Sequence, residues 1–202
     1  EQADYIGGFP PHPHRGFETL TYMKVGAFRH RDSMGNEGRV SAGGLQWMSA
    51  ASGVIHSEMP EADAGKLHGF QLWLNLPARE KMRPPAYRDV HAEEVAHVRL
   101  PSGVEAWVPV GRLVLDHETV TGPLLLPETD ATVADLNLPP GSQSTLRIPA
   151  GMQVNILVYD GQTDALRSGL LAHFSAQPEA CSLVLAAQSA GHTKVQIAAL
   201  TG

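Results

Sequence analysis

The chain of 202 residues carries 15 Lys and Arg against 21 Asp and Glu, a net charge of −6. That balance argues against a nucleic-acid-binding surface, which needs clustered cations to neutralise phosphate, while protein partners stay open. Cys181 is the sole cysteine, so no intrachain disulfide forms. No apolar run approaches the about 18 residues that span a bilayer, and no signal-peptide pattern opens the chain. A soluble, cytoplasmic protein without membrane association is expected.

Twenty glycines, fifteen prolines and few helix-period stretches favour short strands joined by tight turns. Phe17 to Met23, rich in β-branched and aromatic residues, reads as a strand bounded by Arg15-Gly16 and Val25-Gly26. Met34 to Gly38 and Ala42-Gly43-Gly44 read as turns. Leu45 to Met48, Val54-Ile55 and Gly69 to Leu76 supply further strands. In the last of these Gln71, Trp73 and Asn75 alternate with Phe70, Leu72 and Leu74.

Arg83-Pro84-Pro85 breaks the pattern and reads as a linker, with a turn or two of helix over residues 91–96. Strands are then expected over residues 105–110, 112–116, 131–138, 154–159 and 182–187. The expected architecture is all-β: two small β-barrels packed together, a metal-binding unit over residues 1–86 and a second unit over residues 87–202. The second half keeps the cadence of a cupin strand–turn–strand motif, framed by Gly141 and Gly161. Arg147, Pro149 and Val154 stand where ligands would be, so it is expected to lack a metal.

Residues two apart on a strand point to one face, with Cβ atoms roughly 6–7 Å apart, so both can lean onto one ion. His12-Pro13-His14 offers such a pair, and His56-Ser57-Glu58 offers a second after 41 intervening residues. Three imidazoles and one carboxylate suit Fe(II), Mn(II), Ni(II) or Cu(II), with positions left for substrate or dioxygen. Glu18 is the rival acid, because ordinary cupins take their carboxylate from the His-x-His strand and it shares the facing of His14. His30, His91, His97, His117, His173 and His192 have no ligand spacing and are expected at the surface. Trp47, Trp73, Met23 and Met48 serve either a substrate pocket or barrel packing, and Cys181 is expected to be a buried, inert thiol.

Residues Gly8-Phe9-Pro10-Pro11-His12-Pro13-His14-Arg15-Gly16-Phe17-Glu18-Thr19-Leu20-Thr21-Tyr22 resemble the signature of the pirins, a branch of the bicupins. Three further motifs follow in that family's order. They are Gly44-Leu45-Gln46-Trp47-Met48-Ser49, Gly53-Val54-Ile55-His56-Ser57-Glu58-Met59-Pro60 and His68-Gly69-Phe70-Gln71-Leu72-Trp73-Leu74-Asn75-Leu76-Pro77. The resemblance covers residues 8–88 closely and the second half in outline. It implies two stacked barrels and one metal in the first. That metal is Fe(II) by preference, with Mn, Ni, Cu or Zn as alternatives, on His12, His14, His56 and Glu58; Glu18 is left to an ion pair.

It also implies quercetin 2,3-dioxygenase-like chemistry, the oxidative ring opening of a flavonol by dioxygen, with Glu58 taking the substrate's proton. The alternative is an iron-dependent, redox-sensing protein-binding module of the transcriptional co-regulator kind. Only eleven residues precede His12, where pirins usually have several strands. The chain also stops at Gly202, where they continue with a Pro-rich segment. Residues are expected beyond both ends unless this is a short member.

Overall fold

The structure, a computed structural model, describes residues 7–61, 66–188 and 191–201. The chain divides into two compact units, Glu1–Val95 and Ala96–Gly202. The first consists of two four-stranded antiparallel sheets. One runs in the order β1 (Phe9–His14), β6 (Val54–Glu61), β3 (Ala27–Asp32), β4 (Glu37–Ser41). The other runs β7 (His68–Asn75), β2 (Phe17–Val25), β5 (Leu45–Ser49), β8 (Ala86–Val90).

The prolines of β1 explain its place. Pro10, Pro11 and Pro13 lack an N–H to give a ladder, so the strand is tolerated only at a sheet edge, and it lies at one. Its register with β6 shifts between Phe9 and His12 and then runs His12↔His56, Pro13↔Ile55, His14↔Val54. Strand β3 alternates strictly at its end: Arg29 and Arg31 are exposed while Phe28, His30 and Asp32 are buried.

The second unit holds a six-stranded sheet and a four-stranded one. The larger runs β16 (Leu170–Phe174), β15 (Met152–Asp160), β18 (Thr193–Thr201), β13 (Thr132–Leu138), β10 (Glu105–Val110), β9 (Ala96–Arg99). The smaller runs β12 (Glu118–Thr121), β11 (Arg112–Leu115), β14 (Gln143–Ile148), β17 (Cys181–Ala186). Their inner faces meet in one continuous aliphatic core that includes Leu115, Leu136, Leu138, Ile156 and Ile197. Val154, at one of the ligand-equivalent positions, is buried in that core, and Arg147 and Pro149 are exposed.

The first unit is built differently inside. Leu20, Tyr22, Leu45, Met48 and Leu76 are fully buried, but so are Glu18, His30, Ser49 and His56. Buried polar groups cost free energy unless partnered; the second unit buries mostly hydroxyls with Asp135 and Gln196, whereas the first buries His14, His30, His56, Glu18, Asp32 and Glu58.

Several expectations need adjustment. The division lies at Val95/Ala96, not after residue 86, because β8 pairs with β5 from Leu45↔Val90 to Ser49↔Ala86 and completes the first unit's sheet. The helical turn expected over residues 91–96 is present as one 3₁₀ turn, Ala92–Glu94. Cys181 is half-buried, not buried. No helix among the described residues is long and apolar enough to cross a membrane.

One close approach between the first unit's sheets is set by a glycine. Gly38 of β4 faces Tyr87 and Asp89 of β8, and an added Cβ would overlap the tyrosine hydroxyl and the carboxylate. Its φ is not among the positive ones, so alanine would suit the backbone and by propensity alone would stabilise. The overlap decides the sign. Gly38→Ala should destabilise by about 1–3 kcal/mol, read as a lower urea midpoint at unchanged slope. A midpoint equal to wild type would show that Tyr87 moves aside freely.

Candidate metal centre

Because His12 pairs with His56 across the β1–β6 ladder and His14 lies two residues on, three imidazoles converge. Ring centroids are 4.5 Å apart for His12–His56, and 4.8 Å for both His12–His14 and His14–His56. One ring nitrogen from each lies within 4.8 Å of the others, near enough for small side-chain rotations to bring them onto one ion. Among the described residues this is the group of His, Cys, Asp and Glu placed to hold a metal.

The orientation of the nitrogens fits that role. His12 Nδ1 donates to the Pro10 carbonyl at 2.8 Å, which leaves its Nε2 bare. Nε2 of His14 and Nε2 of His56 are buried with no hydrogen-bond partner, a state that is costly unless a ligand occupies them. Edge contacts with Phe17 at 5.0 Å and Trp73 at 5.4 Å hold the His14 ring. Burial and then the neighbouring His12 lower the His14 pKa. Burial, followed by His30, His12 and His14, lowers that of His56 to about 3. Both are held as neutral imidazoles, the form that ligates metal.

Glu58 shares the buried face of β6 with His56 and lines the same cavity as His12 and His14. Its carboxylate lies outside the three-imidazole set because Gln71 holds it: Nε2 of Gln71 donates to its two oxygens at 3.1 and 3.3 Å. Gln71 is fixed in turn by Trp73, whose indole N–H donates to the amide oxygen at 3.0 Å. Burial raises the Glu58 pKa, against the Gln71 hydrogen bond and the nearby His12. The cavity holds about 360 Å³, within the range of small-molecule sites, and Phe9, Phe28, Phe70, Trp73, Met23 and Leu67 give it apolar walls.

Glu18 stands elsewhere in the network. Its side chain is 1% exposed and accepts from Arg83 at 2.8 Å; Arg83 also reaches the Ser49 hydroxyl at 3.2 Å.

The residue that sequence reading missed is His30. It is expected at the surface, yet it is 2% exposed and its Nδ1 lies 3.2 Å from Nδ1 of His56. The signal was the alternation Arg29-His30-Arg31-Asp32, which turns two cations outward and so turns His30 and Asp32 in. His91, His97, His117, His173 and His192 are exposed.

Comparison with known proteins gives this architecture a family. The Pirin family model matches residues 1–74. A Vibrio cholerae protein provisionally named a quercetin 2,3-dioxygenase is 45% identical over 179 residues, 87% of this chain and 64% of that protein. The chain belongs to the pirin family. The crystal structure of quercetin 2,3-dioxygenase from Acinetobacter baumannii superposes with a TM-score of 0.83 at 28% identity, covering 96% of this chain and 68% of that one. A bacterial pirin from Escherichia coli in complex with nickel(II) superposes with a TM-score of 0.64 at 24% identity, covering 96% and 76%. The all-β cupin fold follows from these likenesses. This pirin spans between about half and two thirds of the length of the curated bacterial relatives it matches.

The Glu18–Arg83 pair yields a pH-dependent test. Arg83→Leu would strand a buried carboxylate, at a cost of about 3–5 kcal/mol near pH 7. Burial already raises the Glu18 pKa above its ordinary 4.5, and losing Arg83 raises it further. A raised folded-state pKa means that protonation favours the fold. The deficit against wild type should therefore shrink as pH falls through that raised value towards 4.5. Chemical denaturation at pH 7.5 and pH 5 measures it, and a deficit independent of pH would exclude Glu18 as the group left unpaired.

Proposed function

We propose that this pirin binds one divalent transition metal through His12, His14, His56 and Glu58, and is a metal-dependent dioxygenase that opens the ring of a flavonol-like substrate. The observation that carries the reading is the set of unpartnered, neutral imidazole nitrogens beside a cavity walled by aromatic side chains. The donor set suits Fe(II) first, and Mn(II), Ni(II) or Cu(II) as well. When bound, such an ion would act as a Lewis acid that acidifies a phenolic hydroxyl and as a centre at which dioxygen chemistry becomes accessible.

The chain's own residues supply the rest. Phe9, Phe28, Phe70 and Trp73 offer flat apolar surface to a planar aromatic ligand and keep water from it. Glu58 is the proton acceptor: a carboxylate has a second oxygen to spare when one is engaged, and burial raises its basicity. Gln71 holds that carboxylate at the cavity wall, so a hydroxyl entering the cavity meets a base already in place.

Anaerobically purified protein should bind one metal per chain, and a stoichiometry near two would sink the single-site reading. Glu58→Gln keeps the shape and one carbonyl oxygen but removes the base. Quercetin turnover, reported per bound ion by oxygen uptake, should fall by about 10²–10⁴-fold. Turnover at the parent rate would show that Glu58 is not the base. A metal-loaded wild type with no oxygen uptake would overturn the dioxygenase reading.

A further inference from the structure

From His56 a chain of hydrogen bonds runs through His30 and ends on a carboxylate. His56 Nδ1 lies 3.2 Å from His30 Nδ1, and His30 Nε2 lies 3.3 Å from Asp32 Oδ2. Resting on the metal-centre reading above, we propose that His30 is a positioning residue: Asp32 fixes its tautomer, and it in turn fixes His56 as the Nδ1–H form with Nε2 left bare for metal.

The assignment runs from the carboxylate inward. Asp32 accepts from the Asn36 side chain at 2.8 Å and from the backbone N–H groups of Met34 and Asn36 at 2.9 and 3.0 Å. A carboxylate met by three donors is ionised and can only accept. His30 Nε2 must therefore carry a hydrogen, since a bare nitrogen would set two lone pairs against each other. His30 is 2% exposed, and a neutral imidazole that carries its hydrogen at Nε2 has a bare Nδ1. Two bare nitrogens 3.2 Å apart would repel, so His56 Nδ1 carries the hydrogen between them. His56 Nε2 is then the lone pair, and that atom is the one buried without a partner.

The His30 ring is itself seated. It stacks on Tyr87 at 4.8 Å between centroids. The Tyr87 hydroxyl donates to Asp89 at 2.8 Å and accepts from Gln46 at 2.9 Å. Gly38, directly opposite His30 across the β3–β4 ladder, leaves the room that Tyr87 fills.

Two measurements test the proposal. In metal-free wild-type protein labelled with ¹⁵N-histidine, long-range ¹H–¹⁵N correlations should show His56 protonated at Nδ1; protonation at Nε2 would overturn it. In calorimetric titration with Ni(II), His30→Phe keeps the ring stack but deletes both nitrogens, and affinity should fall by about 10–100-fold, the usual cost of removing a ligand's orienting partner. His30→Gln, whose amide can accept from His56 and donate to Asp32, should recover part of the loss. Affinity equal to wild type in His30→Phe, or no recovery in a folded His30→Gln, would overturn the positioning role. A wild type that binds no Ni(II) would sink the metal-centre reading instead, and the tautomer measurement would still decide this one.

Discussion

The register of β1 against β6 is the constraint from which the site follows. His12 stands opposite His56, and strand periodicity then puts His14 and Glu58 on the same side. A slip of one residue would turn each of these side chains to the other face of the sheet. Strand β1 lies at a sheet edge, and its three prolines cannot donate to the ladder. Its pairing is pinned instead by the register shift between Phe9 and His12 and by the contacts of His14 with Phe17 and Trp73, which reach into the second sheet.

The two units answer the problem of filling a β interior in opposite ways. The second unit closes on a continuous aliphatic core, which gives the ordinary hydrophobic stabilisation of roughly 25 cal/mol per Å² buried. The first gives up part of that return to house histidines and carboxylates. It remains foldable because most of the buried polar atoms are partnered: Glu18 by Arg83, Asp32 by Asn36, Glu58 by Gln71. The unpartnered ring nitrogens of His14 and His56 are exceptions with a chemical use, and an ion bound there would return stability by linkage.

Sequence reading went furthest where local chemistry and periodicity coincide. The strand Phe17–Val25 was legible over residues 17–23 from β-branched and aromatic content, and the imidazole pair from its spacing of two. Legibility failed where a residue's role depends on what lies across the sheet. His30 has no ligand spacing, and its burial is set by Arg29 and Arg31 facing outward on the same strand. The domain boundary was misplaced for a similar reason: Pro84-Pro85 looks like a linker, but the pairing that assigns β8 to the first unit is with β5, some forty residues away. Arg83 was read only as part of that break, although its guanidinium neutralises a buried acid 65 residues earlier.

Two hydrogen-bond chains end at the site, and they do different things. In one, Asp32 and His30 lead to His56, where the chain ends on a lone pair directed at the imidazole cluster. In the other, Trp73 and Gln71 lead to Glu58, where the chain ends on a carboxylate drawn to the cavity wall. Histidines preset as bare acceptors bind metal without first shedding protons, and each such proton would otherwise subtract from affinity. The carboxylate is held by a neutral amide and not by a cation, so its basicity is not quenched as that of Glu61 is, where Arg29 and Arg39 hold the carboxyl low. The donors on the imidazole side fix ring geometry, and those on the carboxylate side hold Glu58 at the cavity wall. That division of labour is what a single mononuclear site needs if it is both to hold an ion tightly and to move a proton beside it.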